Sequence, residues 1–122
     1  MKYRESEEMY LETIFLLTQK STFVRSVDIC LRLGYSRPSV SRAVGLLQKK
    51  KYIEVASNGA ITLTENGKIR ANEIYLKHKI ITKVLLQIGA SEEVAEENAC
   101  RIEHVITSEL FETLKQFVNK NN

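Results

Sequence analysis

The spacing of apolar residues predicts a mainly helical chain that is interrupted once by a hairpin. Apolar side chains recur every three or four residues, as in amphipathic helices, over residues 5–19, 24–33, 36–50, 64–88, 91–106 and 108–118. Two short segments, 52–56 and 60–63, instead alternate in polarity around Asn58-Gly59, a pair typical of tight hairpin turns. We expect five or six helices, with a two-stranded hairpin after the third.

The positions of residues that favour helix ends agree with these predicted helix ranges. Gly34 can end the second helix in the left-handed conformation, and Ser36 can cap the third, whose first turn contains Pro38, the only proline. Thr64 and Ser91 can cap the fourth and fifth helices. The last four residues are expected to fray.

Three helices followed by a hairpin are the order of elements in a winged helix-turn-helix. We therefore predict a DNA-binding domain over residues 1–64 and a second, helical domain over 65–122. The net charge of the 122-residue chain is only +3, which gives no general argument for nucleic acid. Residues 1–63, however, contain ten basic and six acidic residues (+4), against eight and nine (−1) in 64–122.

The third helix has the charge pattern of a recognition helix. Residues 36–51 include five basic residues and no acidic one, opposite an apolar stripe. Arginine can donate two hydrogen bonds to guanine in the major groove, and small hydroxyl side chains allow close approach. The alternative is a solvated basic face with no role in binding. The predicted contacts to double-stranded DNA are Ser36, Arg37, Pro38, Ser39, Ser41, Arg42 and, at the far end, Lys49.

Hydropathy and cysteine content indicate a soluble, cytoplasmic protein without a membrane partner. The chain has no run of about 18 apolar residues, and residues 1–8 have no apolar core that could serve as a signal peptide. Cys30 and Cys100 are 70 positions apart, so a structural disulfide is not expected.

The fifth predicted helix contains a possible metal-binding motif. Cys100, Glu103 and His104 follow an i, i+3, i+4 spacing that places them on one helical face. Thiolate, carboxylate and imidazole groups all bind first-row transition metals, although this triple alone is only moderately specific. A metalloenzyme with Glu103 as base is disfavoured, because the sequence has no phosphate loop or nucleophile pair.

Four segments together resemble the diphtheria toxin repressor family of metal-dependent transcriptional regulators: residues 9–14, 36–42, 63–67 and 99–105. The resemblance implies that the winged helix reads an operator, that the second domain forms a homodimer, and that a divalent ion between the domains acts as corepressor. It implies no enzymatic activity. A winged-helix regulator that does not respond to metal is the main alternative.

The resemblance also implies a primary metal site formed by Met9, Cys100, Glu103 and His104. Manganese-type members have an aspartate in place of Met9 and a glutamate in place of Cys100, whereas Glu12 matches a manganese-type ligand. Without the resemblance, Met9 would be assigned to the core and Glu12 to a solvated face.

A second metal site is less well matched. His78 corresponds to a histidine of the family's ancillary site, but the glutamate and histidine that accompany it are replaced here by Thr82 and Glu96. The residues available for a second site are Glu12, His78 and Glu96.

Sulfur ligands beside imidazole and carboxylate favour Fe(II), Co(II), Ni(II) or Zn(II) over Mn(II). We expect Fe(II) as the physiological ion, with Mn(II) as the alternative because of Glu12. Dimerisation is expected because residues 64–118 contain more apolar side chains than two or three helices can cover.

Overall fold

The computed structural model describes residues 6–121, and residues 1–5 and 122 lie outside the described part. Its elements are α1 (Glu7–Lys20), α2 (Ser26–Leu33), α3 (Arg37–Lys49), β1 (Ile53–Val55), β2 (Ile61–Leu63), α4 (Glu65–Gln87), α5 (Glu92–Ile102) and α6 (Ser108–Lys120). The predicted mainly helical fold, with a winged helix-turn-helix before a helical domain, is confirmed. Within residues 6–121, no helix is both long and apolar enough to cross a membrane.

The described residues divide into two compact units, 6–72 and 73–121, and the division falls within α4. In the first unit, α1 packs against α2, α3 and β2, and α3 packs against α2 and β1. The apolar side chains buried in this unit are Met9, Tyr10, Leu11, Ile14, Val24, Ile29, Val40, Val44, Leu47, Ile53, Ile61 and Ala71.

The ends of the recognition helix α3 form as the sequence predicts. Gly34 ends α2 in the left-handed conformation with φ 73°. The Ser36 hydroxyl accepts a hydrogen bond from the Ser39 backbone N–H at 3.3 Å, and Pro38 lies in the first turn, where no N–H is needed. The connection between α2 and α3 is therefore short and defined by local interactions.

The wing is a two-stranded antiparallel sheet in which Ile53 is paired with Leu63. Ile53 and Ile61 point into the core, and Gly59 adopts φ 87° in the connecting turn. Gly67, in the first turn of α4, lies so close to the Tyr52 carbonyl that an added Cβ would overlap it. This contact anchors the base of the wing against α4.

The second unit consists of the later part of α4 together with α5 and α6. Its buried apolar side chains are Ile74, Ile81, Ala95, Ala99 and Val118. Several large apolar side chains are instead 40–78% exposed, namely Leu76, Leu86, Ile88, Val94, Val105, Leu110 and Phe117. Exposed large apolar side chains in such number on three helices are typical of an interaction surface.

Several predicted helix boundaries differ from the structure, and α2 begins at Ser26, two residues after the predicted start at Val24. α1 begins at Glu7, capped by Ser6, whereas the predicted first residue, Glu5, lies outside the described part. The predicted end of α5 near Ile106 is wrong, because α5 ends at Ile102.

The early end of α5 has a local cause. Thr107 adopts an extended conformation, φ −74° and ψ 156°, and its hydroxyl accepts a hydrogen bond from the Leu110 N–H at 3.2 Å to cap α6. A continuous helix through Thr107 would lose this cap. At the other end, α6 continues to Lys120, two residues beyond its predicted end at Val118. Part of the predicted tail (residue 122), and most of the segment used to exclude a signal peptide (1–5), lie outside the described part.

Candidate metal centre

Three of the predicted ligands come together at the carboxyl end of α5. Although the helix ends at Ile102, Glu103 keeps helical angles, and its N–H donates to the Ala99 carbonyl at 3.0 Å. The side chains of Cys100, Glu103 and His104 therefore still emerge from one turn. A potential ligand atom from each of the three lies within 4.8 Å of the others.

The carboxylate of Glu103 is at the centre of this cluster and is fully buried. Its Oε1 lies 3.1 Å from His104 Nε2, and its Oε2 lies 2.8 Å from His78 Nδ1. The His104 side chain is only 3% exposed. Burying a carboxylate is costly unless positive charge or hydrogen-bond donors surround it. His78 supplies such a donor to Oε2, whereas the approach of Oε1 to His104 Nε2 is not a hydrogen bond.

His78 is placed between two carboxylates. Its Nε2 lies 2.6 Å from Glu96 Oε1, on the side opposite Glu103. The hydrogen bond to Glu103, followed by the charge of that carboxylate and the interaction with Glu96, raises the pKa of His78 to about 9, against the opposing effect of burial. The metal-free ring is therefore an imidazolium that donates one N–H to each carboxylate.

The donor set fits a transition-metal ion. It combines a soft sulfur atom, an imidazole nitrogen and a carboxylate oxygen, which suits Fe(II) or Zn(II) better than it suits Mg²⁺ or Ca²⁺. The burial of Glu103 limits the access of solvent to its carboxylate, while the Cys100 thiol is half-buried. The other cysteine, Cys30, lies on α2, and the two cysteines are not joined by a disulfide.

The other predicted ligands are on α1. Met9 and Glu12 are both buried, with 4% and 7% exposure. The Met9 sulfur accepts a hydrogen bond from the Tyr35 hydroxyl at 3.7 Å. Tyr35 directly precedes the α3 cap, so this hydrogen bond connects the Met9 thioether to the start of the recognition helix. No sequence pattern predicts this hydrogen bond.

Of the residues considered for a second metal site, His78 and Glu96 are in direct contact, as described above. The Thr82 hydroxyl donates to the His78 backbone carbonyl at 2.8 Å, within α4. Thr82, which replaces a family glutamate, therefore uses its side chain within its own helix.

The predicted DNA-contacting residues lie along α3. Arg37, Ser41, Arg42 and Lys49 are exposed, and the first turn of α3 contains no acidic residue. Arg42 Nη2 donates to Ser39 Oγ at 3.4 Å, which holds the guanidinium near the start of the helix.

One basic residue of this region is engaged within the protein. Lys50 Nζ lies 2.6 Å from Glu7 Oε2, and this hydrogen bond raises the pKa of Lys50. The sequence does not signal the pairing, because the two residues are 43 positions apart. Lys50 is thus less available to phosphate than Lys49.

Comparison with known families accounts for nearly the whole chain. Residues 2–61 match the family described as the iron-dependent repressor N-terminal DNA-binding domain. Residues 64–122 match the iron-dependent repressor metal-binding and dimerisation domain.

Individual relatives agree with these matches. The chain is 32% identical over 118 residues to the HTH-type transcriptional regulator MJ0568 of Methanocaldococcus jannaschii, covering 95% of this chain and 94% of that protein. It is 31% identical over 116 residues to the iron-dependent repressor IdeR of Mycobacterium tuberculosis, covering 94% of this chain and 50% of that protein.

A solved structure, that of the manganese regulator SloR, has a TM-score of 0.81 and 26% identity, and the match covers 95% of this chain and 54% of that one. The chain thus spans about half the length of IdeR and SloR. Together, the two domain matches and these relatives show that the chain belongs to the iron-dependent repressor family of metal-dependent transcriptional regulators.

Proposed function

We propose that this protein is a cytoplasmic repressor that binds operator DNA as a homodimer when a divalent metal ion occupies the Cys100–Glu103–His104 cluster. In this proposal residues 1–64 bind DNA, residues 65–122 dimerise and bind the ion, and no residue has a catalytic role. The observation that carries the proposal is the convergence of a half-buried thiol, a fully buried carboxylate and an imidazole, with ligand atoms within 4.8 Å of one another. Such a donor set is characteristic of transition-metal sites.

The family resemblance supplies the remaining ligand of the proposed primary site, Met9. Glu12, one helical turn further along α1, is the ligand that manganese-type members would use. Because α1 belongs to the DNA-binding domain and Cys100 to the second domain, occupancy of such a site couples the two domains. Linkage then requires that DNA binding increase the metal affinity by the same factor.

The charges around Glu103 differ between the metal-free site and a metal-bound one. Without an ion, Glu103 is held by the His78 imidazolium at 2.8 Å. Ligation requires a deprotonated Cys100 and a neutral His104, so acidification should weaken metal binding. Glu103 and the Cys100 thiolate would hold a divalent ion, whose positive charge would offset theirs and favour the arrangement that binds DNA.

DNA recognition is assigned to α3 and the wing. The exposed guanidiniums of Arg37 and Arg42 can donate to guanine, and Ser36, Ser39 and Ser41 can contact phosphate or base edges. Lys49 supplies a backbone contact at the far end. In a two-fold dimer, two such helices read half-sites about one helical turn apart, or a multiple of it.

Homodimerisation is supported by the exposed apolar side chains of the second unit. Ile88 and Val105 are 70% and 78% exposed, and Leu110 and Phe117 on α6 are 50% and 40% exposed. A copy of the same surface would remove these side chains from water. The matched family domain is described as a dimerisation domain, which agrees with this assignment.

We propose Fe(II) as the physiological ion. The sulfur ligands favour it over Mn(II), and IdeR is named an iron-dependent repressor. Mn(II) is the second candidate because of Glu12, and SloR is named a manganese regulator. Co(II), Ni(II) and Zn(II) should bind the same donor set in vitro.

Selection from a random DNA library tests this function. Under anaerobic conditions with Fe(II), we expect enrichment of a palindromic sequence, and with a chelator we expect none. Enrichment of the same sequence under both conditions would instead indicate a winged-helix regulator that does not respond to metal. Failure to enrich any sequence with Fe(II) or Mn(II) would contradict the proposal.

A further inference from the structure

Gly45 lies in the middle of α3, on the side of the helix that faces away from the core. It is about 140° from Val40 and about 160° from Leu47 around the helix axis, and both of these side chains are buried. Arg42 and Lys49, one turn before Gly45 and one turn after it, are exposed. The centre of the basic face of α3 is therefore bare backbone.

The packing of the described residues gives no internal reason for a glycine at this position. Apart from the adjacent residues and the backbone of its own helix, no described atom lies within 4 Å of the place where a Cβ of Gly45 would be. Three of the other four glycines instead adopt positive φ, and Gly67 lies against a backbone carbonyl. A glycine inside a helix lowers the ratio of folded to unfolded protein about fivefold relative to alanine. Gly45 therefore destabilises α3 without a contact among the described residues that requires it.

The charges around Gly45 indicate which kind of ligand can approach it. Residues 36–51 contain five basic residues and no acidic one. The Arg42 side chain is directed towards the start of α3, where its guanidinium donates to Ser39 Oγ at 3.4 Å. It leaves the surface over Gly45 open, so an anionic ligand can reach the helix backbone between two cationic side chains.

A major groove is a ligand for which this open surface matters. The groove of B-form DNA is about 12 Å wide, and a helix with its side chains is about 10–12 Å across, so little room is left between them. Glycine serves where a backbone must approach a ligand closely. Without a side chain at the centre of its outer face, α3 can lie nearer to the base edges, and Arg42 can reach further into the groove.

We propose that Gly45 is a specificity-determining residue of the DNA-binding surface, because its missing side chain lets the backbone of α3 lie directly against base edges in the major groove. This inference rests on the proposed function, in which α3 is the recognition helix. The contacts predicted from the sequence were chosen for charge or hydrogen bonding, and Gly45 has neither. A larger side chain at this position holds α3, and with it Arg42, away from the bases.

Fluorescence polarisation with two duplexes of equal length tests this role. One is the operator that the wild type selects from a random library, and the other has a random sequence; both are measured anaerobically with Fe(II). Gly45→Ala should weaken operator binding by about tenfold and Gly45→Leu by about 100-fold, the range for one or two lost base contacts. Binding to the random duplex should change by less than about twofold, because the charges that contact phosphate are unchanged.

Thermal unfolding gives a readout that should move in the opposite direction. Gly45→Ala should raise the midpoint of unfolding by about 3–5 °C, since alanine favours the helix. A purely structural role predicts instead that stability and operator affinity change together. A variant that is more stable and binds the operator at least as tightly as the wild type would overturn the proposal.

Two control variants separate close approach from added bulk and from charge. Gln19→Leu adds an apolar side chain at an exposed position of α1, in the same unit, and should leave binding to both duplexes unchanged. Lys49→Ala should weaken binding to both duplexes and lower the slope of log affinity against log salt concentration by about one. Gly45→Ala should leave that slope unchanged. Equal effects of Gly45→Leu and Gln19→Leu would count against close approach.

The possible failures are distinguishable. Wild-type protein that selects no operator contradicts the proposed function as well as this inference. Operator binding that is undiminished in both Gly45 variants overturns only the role of Gly45. Equal losses on the operator and the random duplex would likewise overturn it, because Gly45 would then contribute to binding without a part in reading the sequence.

Discussion

The metal-free protein should lose stability as the pH rises through the pKa of His78. The ring is only 14% exposed and lies 2.8 Å from the buried Glu103 carboxylate. Its pKa is raised from 6.5 to about 9. Because a tenfold change in protonation equilibrium corresponds to about 1.4 kcal/mol, the protonated ring contributes about 3 kcal/mol to the free energy of unfolding.

The sign follows from the raised pKa of His78. The folded state binds the proton more tightly than the unfolded state, so the contribution is complete below pH 6.5 and is lost as the pH passes about 9. Small domains have total stabilities of roughly 5–15 kcal/mol, so a change of this size is readily measured.

Urea unfolding in the presence of a chelator, at intervals from pH 6 to pH 10, measures this effect. His78→Gln is the comparison, since it keeps an amide donor but cannot be charged. Cysteine and tyrosine titrations are common to both proteins, so the difference between the two curves isolates His78. We expect the wild type to be more stable by about 3 kcal/mol at pH 6 and the two to converge near pH 10. Parallel curves over the whole range would refute the assignment of a His78–Glu103 ion pair.

Five substitutions test other parts of the structure. Gly67→Ala should destabilise the protein by several kcal/mol or prevent folding, because its Cβ would overlap a backbone carbonyl, whereas Gly45→Ala, with open space around it, should stabilise α3 by about 1 kcal/mol in thermal unfolding. Arg42→Ala should weaken operator binding by about 10- to 100-fold in fluorescence polarisation, while Lys50→Ala, already paired with a carboxylate, should have a smaller effect; equal losses would contradict the assignment. Cys100→Glu should shift the ratio of Fe(II) to Mn(II) affinity towards Mn(II), and an unchanged ratio in competition titrations would show that the thiolate is not a ligand.

Much of the fold could be predicted because its determinants are local. Gly34, Ser36 and Pro38 define the ends of α2 and α3 through their own backbone preferences and hydrogen bonds, and the structure confirms them. The turn at Asn58-Gly59 is likewise a local signal for the wing. Apolar periodicity then indicates which faces of these elements are buried.

The predicted boundary at the end of α5 is wrong because the same residues could extend α5 or lead into the cap of α6. Residues 103–106 continue the apolar period of α5, but the cap at Thr107 and the start of α6 end the helix at Ile102. Periodicity does not reveal this competition. The i, i+3, i+4 motif nevertheless stays together, because Glu103 remains in helical conformation after the helix ends.

The candidate site could be predicted only in part. The spacing of Cys100, Glu103 and His104 is visible in one short segment. The contacts of His78, in contrast, join residues 18 and 25 positions apart along the chain, and only the folded structure shows that both of its ring nitrogens face carboxylates. Family resemblance placed His78 near a metal site, but the position of Glu96 on the far side of the ring depends on side-chain geometry.

Occupancy of the metal cluster should control DNA binding. Fluorescence polarisation of the selected operator should be measured with wild type and Glu103→Gln, each anaerobically in chelator and in excess Fe(II). We predict that Fe(II) tightens binding by the wild type by at least about tenfold, a coupling of about 1.4 kcal/mol, and leaves Glu103→Gln unchanged. Equal wild-type affinity in chelator and in Fe(II) would contradict the claim.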